Sequence, residues 1–308
     1  MNYTLHQLQI FVKVAKLKSI TKASEELFLS QPAVSMQLKK FQDQFAIPLT
    51  EVVGRQLYVT DFGNEIVEAA EKILFEVEAI NYKTLSRQGK LAGKLKIAIV
   101  STAKYAMPYF LTGFLQKHPG VDLEMDVTNK SGVINSLENN EVDFAMVSVL
   151  PDHLNLNSVE LMTNKLFLVG SAHTDIEEKR VTKTIFEKHP LLYREKGSAT
   201  RAAMETFLGK LNIPKEKKME LTSNEALKQA LIAGLGISIM PLIGLKNELK
   251  DEELFIIPFK GLPIVTNWNL IWLTSKKLSP VASAYLSYVQ SEKEKIINET
   301  FNWYEAYS

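Results

Sequence analysis

Five side chains between residues 31 and 40 share one side of a predicted helix: Gln31, Ser35, Met36, Lys39 and Lys40. Glutamine and serine hydrogen-bond base edges, and lysines neutralise phosphates on the flanking backbone, so this set has the chemistry of a helix lying in a DNA major groove. The opposite side of the segment is apolar, with Ala33, Val34, Leu38 and Phe41 recurring at helical spacing. Ser30 stands at the N-cap, followed by Gln31, and Pro32 falls in the first turn, where a missing N–H costs nothing.

A helix of this kind needs a second one to hold it. The preceding stretch, ITKASEELFL, predicts a helix of about two turns, capped by Thr21, with Ala23, Leu27 and Phe28 turned inward. Together the two form a helix-turn-helix over residues 20–41, a unit that also occurs in domains that never touch nucleic acid. Residues 49–60, LTEVVGRQLYVT, read as two short strands around Val53-Gly54-Arg55, a wing. Arg55 at its tip is placed to enter a minor groove, the alternative being a solvated turn residue. Residues 1–60 hold seven basic against four acidic residues, a surplus of three that the whole-chain net charge of +1 conceals.

From Phe62 to Ser86 the pattern is one long helix. Ile66, Ala70, Ile73, Val77 and Ile80 form an a/d seam with Glu65, Glu68, Glu71, Lys72, Glu76 and Glu78 outside it. The seam is short enough to pack on its own domain, but its polar surroundings favour self-association. A homodimer would present two reading helices related by two-fold symmetry and require a palindromic site.

RQGKLAGK, with Gly89 and Gly93, then reads as a hinge into a second architecture. Strands at LKIAIVST, VDLEMDV, VDFAMVSV, KLFLVGS and NWNLIWLTS alternate with helices, which predicts a parallel sheet covered on both faces and two Rossmann-like halves. Subdomain I takes about 94–163 with 267–308, subdomain II about 164–266, and the chain crosses between them twice. The organisation is therefore a winged helix-turn-helix over 1–61, a linker or dimerisation helix over 62–88, and an α/β domain over 89–308.

Ligands in such sheets bind beyond the carboxyl ends of the strands. Those ends carry Ser101, Thr102, Asn129, Ser131 and Ser148 in the first half; in the second, Thr200, Arg201, Ser223 and Asn224 open helices. Hydroxyls and helix-start N–H groups suit a small anion, with Lys104 and Arg201 adding charge; ordinary helix capping explains the same Ser and Thr residues.

At 308 residues and 46% hydrophobic, the chain has the composition of a globular protein of about two domains plus a small one. With no cysteine there are no disulfides and no thiolate metal site. The opening segment alternates lysines with apolar residues instead of carrying a signal peptide's apolar core, and no stretch is long and apolar enough to span a bilayer, so a cytoplasmic location is expected. The five histidines lack ligand spacing, and no Gly-x-Ser-x-Gly elbow is present. Gly234-Leu235-Gly236 precedes a strand-like segment instead of following one, the wrong order for a nucleotide loop. Neither an enzyme nor a resident cofactor or metal is expected; a solute-binding protein would account for residues 94–275 but not for 1–60.

The whole chain resembles the LysR-type transcriptional regulators, through SQPAVSMQLKKF, the linker helix and a co-inducer domain of periplasmic-binding-protein type. STAKYAMPYF, LLYREKGSATR and TSNEALKQALIAGLGISIMP are similar to the branch that controls carbon-fixation operons. The resemblance implies base contacts from Gln31, Pro32 and Ser35, a backbone contact from Lys39, and Arg55 as the wing arginine. It also implies Ser101, Thr102, Ser131 and Thr200 in the cleft between lobes. Promoter DNA, RNA polymerase, a dimer usually paired into a tetramer, and an effector such as a phosphorylated sugar, phosphoenolpyruvate or a reduced nicotinamide nucleotide follow from it as well. Two departures stand out: Met36 where an arginine is usual, and Leu49-Thr50-Glu51-Val52 where the family reads Leu-Phe-x-Arg. Both remove phosphate-binding charge, which makes nonspecific affinity lower and its salt dependence shallower.

Overall fold

The computed structural model describes residues 2–54, 56–86, 91–174, 181–213 and 219–307. The chain forms two compact units, Met1–Gly89 and Lys90–Ser308.

The first unit runs α1 (Leu5–Leu17), α2 (Ile20–Glu26), α3 (Gln31–Gln42), β1 (Thr50–Val53), β2 (Gln56–Val59) and α4 (Asp61–Ser86). A reciprocal capping box starts α1: the Thr4 hydroxyl accepts from the Gln7 N–H, and the Gln7 side chain accepts from the Thr4 N–H. The cap of α2 is Ser19, not Thr21. Ser19 has extended backbone and its Oγ accepts from the Lys22 N–H at 3.3 Å, whereas Thr21 is already inside the helix and exposed. Phe28 also departs from expectation. Its φ of 54° turns the chain left-handed after α2 and leaves the ring 94% exposed, while Leu27 and Leu29 pack on the core.

That core gathers Leu8, Ile10, Phe11, Val14, Val34, Leu38 and Phe41 with Leu49, Leu57 and Ala70. Phe41 is its aromatic centre, with ring centroids 5.5 Å from Tyr3, 5.2 Å from Phe11 and 5.1 Å from Phe45. The wing strands pair antiparallel, Thr50 opposite Val59 and Val53 opposite Gln56. The seam on α4 divides. Ala70 is fully buried and Ile66 half-buried against the unit's own core, because α4 packs on α1, so these two are intradomain contacts. Farther along, Ile73 and Ile80 are exposed and Val77 is half-buried.

The second unit contains β3 (Ala92–Val100), α5 (Met107–Lys117), β4 (Gly120–Thr128), α6 (Lys130–Glu138), β5 (Phe144–Val147), β6 (Leu156–Ser171), α7 (Ile185–Lys188), β7 (Leu192–Arg194) and α8 (Ala199–Lys210). There follow β8 (Met219–Leu221), α9 (Asn224–Ile232), β9 (Ser238–Pro241), α10 (Lys246–Lys250), β10 (Leu254–Ile256), β11 (Ile264–Leu273) and α11 (Pro280–Thr300). Its main sheet has the order β10-β6-β11-β5-β3-β4, with β9 also on β6, and a separate parallel pair joins β7 to β8.

The main sheet is mixed, correcting the expectation of a parallel one. Strands β3, β4 and β5 run parallel, as helical crossovers require. But β11 inserts antiparallel between β5 and β6, and β9 and β10 pair antiparallel with β6. The 16-residue β6 and the 10-residue β11 thus run through both lobes. Their register shifts between Trp268 and Asn269, which stand opposite Met162 and Glu160. Such a bulge bends a strand pair locally.

Candidate nucleic-acid interface and inter-lobe cleft

Helix α3 is fastened from one side only. Val34, Leu38 and Phe41 sink into the core, while Gln31, Pro32, Ser35, Met36, Lys39 and Lys40 are all exposed. Among the described residues no carboxylate pairs with Lys39 or Lys40, and both sit in the last turn, where the helix dipole favours a cation. Ser30 has the extended backbone of an N-cap but its hydroxyl makes no capping bond. Thr21 lies on α2, exposed. Arg55 lies outside the described residues.

In the second unit the polar centre is a residue that the sequence did not single out. Arg194 ends β7 and is 2% exposed. Its guanidinium donates to both carboxylate oxygens of Glu195 at 2.8 and 2.9 Å, to Asn224 Oδ1 at 2.5 Å, and across the lobes to Ser101 Oγ at 3.0 Å. Charge and fork geometry are both satisfied, so the guanidinium is rigidly aimed. Ser101 and Asn224 of the expected set therefore meet at one junction. Thr102 beside Ser101 and Thr200 in the first turn of α8 are buried.

A second cross-lobe approach joins the starts of α6 and α8. A Cβ on Gly197 would lie 2.8 Å from Ser131 Oγ, and the φ of +88° there is one that glycine adopts without strain. Beside it a groove of about 1310 Å³ runs between α6 and α8, lined by Lys130, Ser131, Ile134, Lys196, Arg201 and Phe207 among others.

Most of the remaining predicted residues serve local structure. Asn129 and Ser223 cap α6 and α9 by accepting from the Gly132 and Ala226 N–H groups. Arg201 faces the groove, but its nitrogens bind Glu205 at 2.8 Å, Glu220 at 2.6 Å and the Arg194 carbonyl at 3.1 Å, so its charge is spent within the lobe. Ser148, just past β5, is half-buried. Lys104 lies 3.4 Å from Glu225, which also accepts from the Tyr105 hydroxyl and pairs with Lys228 at 3.2 Å. Burial alone would push the Glu225 carboxyl up, but the Tyr105 hydroxyl and the two lysines hold it below the usual carboxylate range. Burial and Glu225 keep Tyr105 a neutral donor far above neutral pH. Tyr105 and Lys104 stand on the first lobe, Glu225 and Lys228 on the second, so this ion cluster also ties the lobes.

Among the described residues no group of three or more His, Asp or Glu side chains could hold a metal ion, and no helix is long and apolar enough to cross a membrane.

Residues 5–64 match the family model described as bacterial regulatory helix-turn-helix protein, lysR family, and residues 88–294 match the LysR substrate binding domain. The chain is 35% identical to the HTH-type transcriptional activator CmpR of Synechocystis over 296 residues, covering 96% of this chain and 97% of that one. It is 34% identical to the RuBisCO operon transcriptional regulator of Allochromatium vinosum over 297 residues, covering 96% and 98%. Among solved structures, the regulatory domain of Synechocystis PCC6803 CcmR in complex with 2-PG aligns with a TM-score of 0.62 at 32% identity. It covers 66% of this chain and 98% of that domain.

Proposed function

Because the chain belongs to the LysR family of transcriptional regulators, we propose that α3 lies in the major groove of promoter DNA and that a small anionic metabolite bound at the Arg194 junction changes how that DNA is held. Such an effector moves a two-state equilibrium only through its different affinity for the two lobe arrangements. The observation that carries the reading is Arg194, a buried guanidinium whose bonds to Ser101 and Asn224 reach both lobes. A carboxylate or phosphate entering there exchanges with Glu195 or Ser101 for the same donors, and the lobes must shift to admit it.

The regulators of carbon-fixation operons among the relatives make phosphorylated carboxylates the effectors to try, with 2-PG first. A thermal-shift panel of such anions on the full chain is the test. At least one is expected to raise the melting temperature, by an amount that Thr102→Val reduces; equal stabilisation of parent and variant refutes a cleft site lined by Thr102.

The DNA side makes its own predictions. Ser35→Ala is expected to weaken specific binding by about 1–3 kcal/mol while leaving nonspecific binding unchanged. An unaltered ratio of the two affinities in a gel-shift titration removes Ser35 from the reading set. We take α4 as the dimer contact through Ile73, Val77 and Ile80. An Ile73→Glu exchange removes about 1.5–3 kcal/mol of apolar burial per side chain, roughly a tenfold or greater rise in the dimer dissociation constant by sedimentation. An undiminished dimer would place the interface elsewhere. Pairing of dimers into a tetramer, contact with RNA polymerase, a cytoplasmic location and the absence of a resident cofactor complete the proposal.

A further inference from the structure

The helix that reads DNA aims an apolar side chain, not a hydrogen-bonding one, most directly away from its own domain. At about 100° per residue, the buried trio Val34, Leu38 and Phe41 defines one direction on α3, and Pro32 and Met36 fall within about 30° of the opposite direction. On the same wheel Gln31 and Ser35 sit roughly 85–125° to one side of that line, and Lys39 and Lys40 flank it. Met36 takes no part in the domain's hydrophobic core and is 52% exposed. Pro32, one turn before it, is exposed as well, so the two form a short apolar ridge beside the polar row Gln31–Ser35.

The major groove offers such a ridge one apolar partner. Base edges there present hydrogen-bond donors and acceptors at every pair, and the only methyl among them is the C5-methyl of thymine. A methionine is long, unbranched and polarizable enough to settle against that methyl without exact geometry. We propose that Met36 is a specificity-determining residue, reading a thymine methyl next to the base contacted by Ser35. The two-fold symmetry of a dimer repeats the contact in each half-site. This rests on the placement of α3 in the major groove argued above.

The test uses the full-length chain and its own preferred sites. Duplexes are selected from a random library, each thymine of one half-site is replaced singly by deoxyuridine, which removes only the methyl, and affinities are compared by competition gel shift at fixed salt. Wild-type protein is expected to lose about threefold to fivefold in affinity at one thymine position, the worth of one methyl withdrawn from water. Met36→Ala should be weaker on the thymine duplex and indifferent to uracil at that position, and Met36→Leu should keep the sensitivity. Wild-type indifference to uracil at every position, or a Met36→Ala protein with undiminished sensitivity, overturns the proposal. A parallel series with 7-deazapurines, which lack the major-groove N7 acceptor, separates the two failures. Loss with 7-deazapurines but none with uracil leaves α3 in the groove and discards the Met36 contact; indifference to both discards the groove placement too.

Discussion

Exchange of Arg194 for leucine is expected to destabilise the second unit by about 3–5 kcal/mol and to abolish the response to effector. The side chain is 2% exposed and meets Glu195, which is itself only 14% exposed, through two parallel bonds. Leucine fills part of the space but leaves the Glu195 carboxylate without its counter-ion and Asn224 Oδ1 and Ser101 Oγ without their donor. Breaking a buried pair from one side costs more than removing both partners, because an uncompensated charge stays behind. For a unit of about two hundred residues the corresponding fall in Tm is roughly 6–20 °C. Arg194→Lys keeps the charge but not the fork, and its loss should be intermediate. Calorimetry showing an unchanged transition, with effector stabilisation intact, would show that Arg194 does not hold the effector junction together.

Phe41→Ala should do comparable damage to the other unit. Phe41 is fully buried and shares ring contacts with Tyr3, Phe11 and Phe45, so truncation opens a cavity worth about 3–5 kcal/mol. The residue sits one turn beyond Leu38 on α3, and losing it frees the helix that carries Gln31 and Ser35. Specific DNA binding is expected to disappear well below the temperature at which the parent loses it. Effector stabilisation should persist, because residues 90–308 have their own core. Circular dichroism melting beside a gel shift and an effector thermal shift checks both halves; retention of DNA binding by a stably folded variant would contradict the packing argument.

Much of this was legible in the residues, for reasons that differ from place to place. The exposed row of α3 declared itself because helical spacing and side-chain chemistry point the same way at Gln31, Ser35, Lys39 and Lys40. Phe28 misled because its hydrophobicity predicts an inward position, whereas a left-handed φ, invisible in the residue type, turns it out. Thr21 and Ser19 are equally good caps by chemistry, and the choice depends on where α1 ends, at Leu17 with Lys18 as its left-handed C-cap. The seam on α4 shows the right period, but periodicity cannot tell a partner's helix from α1, and Ala70 took the nearer one. Alternation of strands and helices predicted the parallel part of the main sheet and not the antiparallel return of β11, since pairing direction leaves little trace in a buried strand. Arg194 was missed although a signal exists: a charged residue closing the apolar strand LLY is costly unless something pays for its burial. Arg201 and Lys104 were visible as charges, but the acids that consume them, Glu205, Glu220 and Glu225, are assigned by packing.

In this reading, one metabolite in the cleft and one DNA site on α3 are coupled through two states of the same protein. Coupling of that kind is reciprocal: if effector changes DNA affinity by some factor, DNA must change effector affinity by the same factor. The deciding measurement is the effector Kd of the full-length protein by titration calorimetry, with and without a saturating specific duplex, set beside the DNA Kd with and without effector. Equal factors, typically between about 5-fold and 150-fold, are predicted, with both collapsing to one in Arg194→Leu. An effector Kd that is the same on and off DNA, in a protein that binds both, would contradict it.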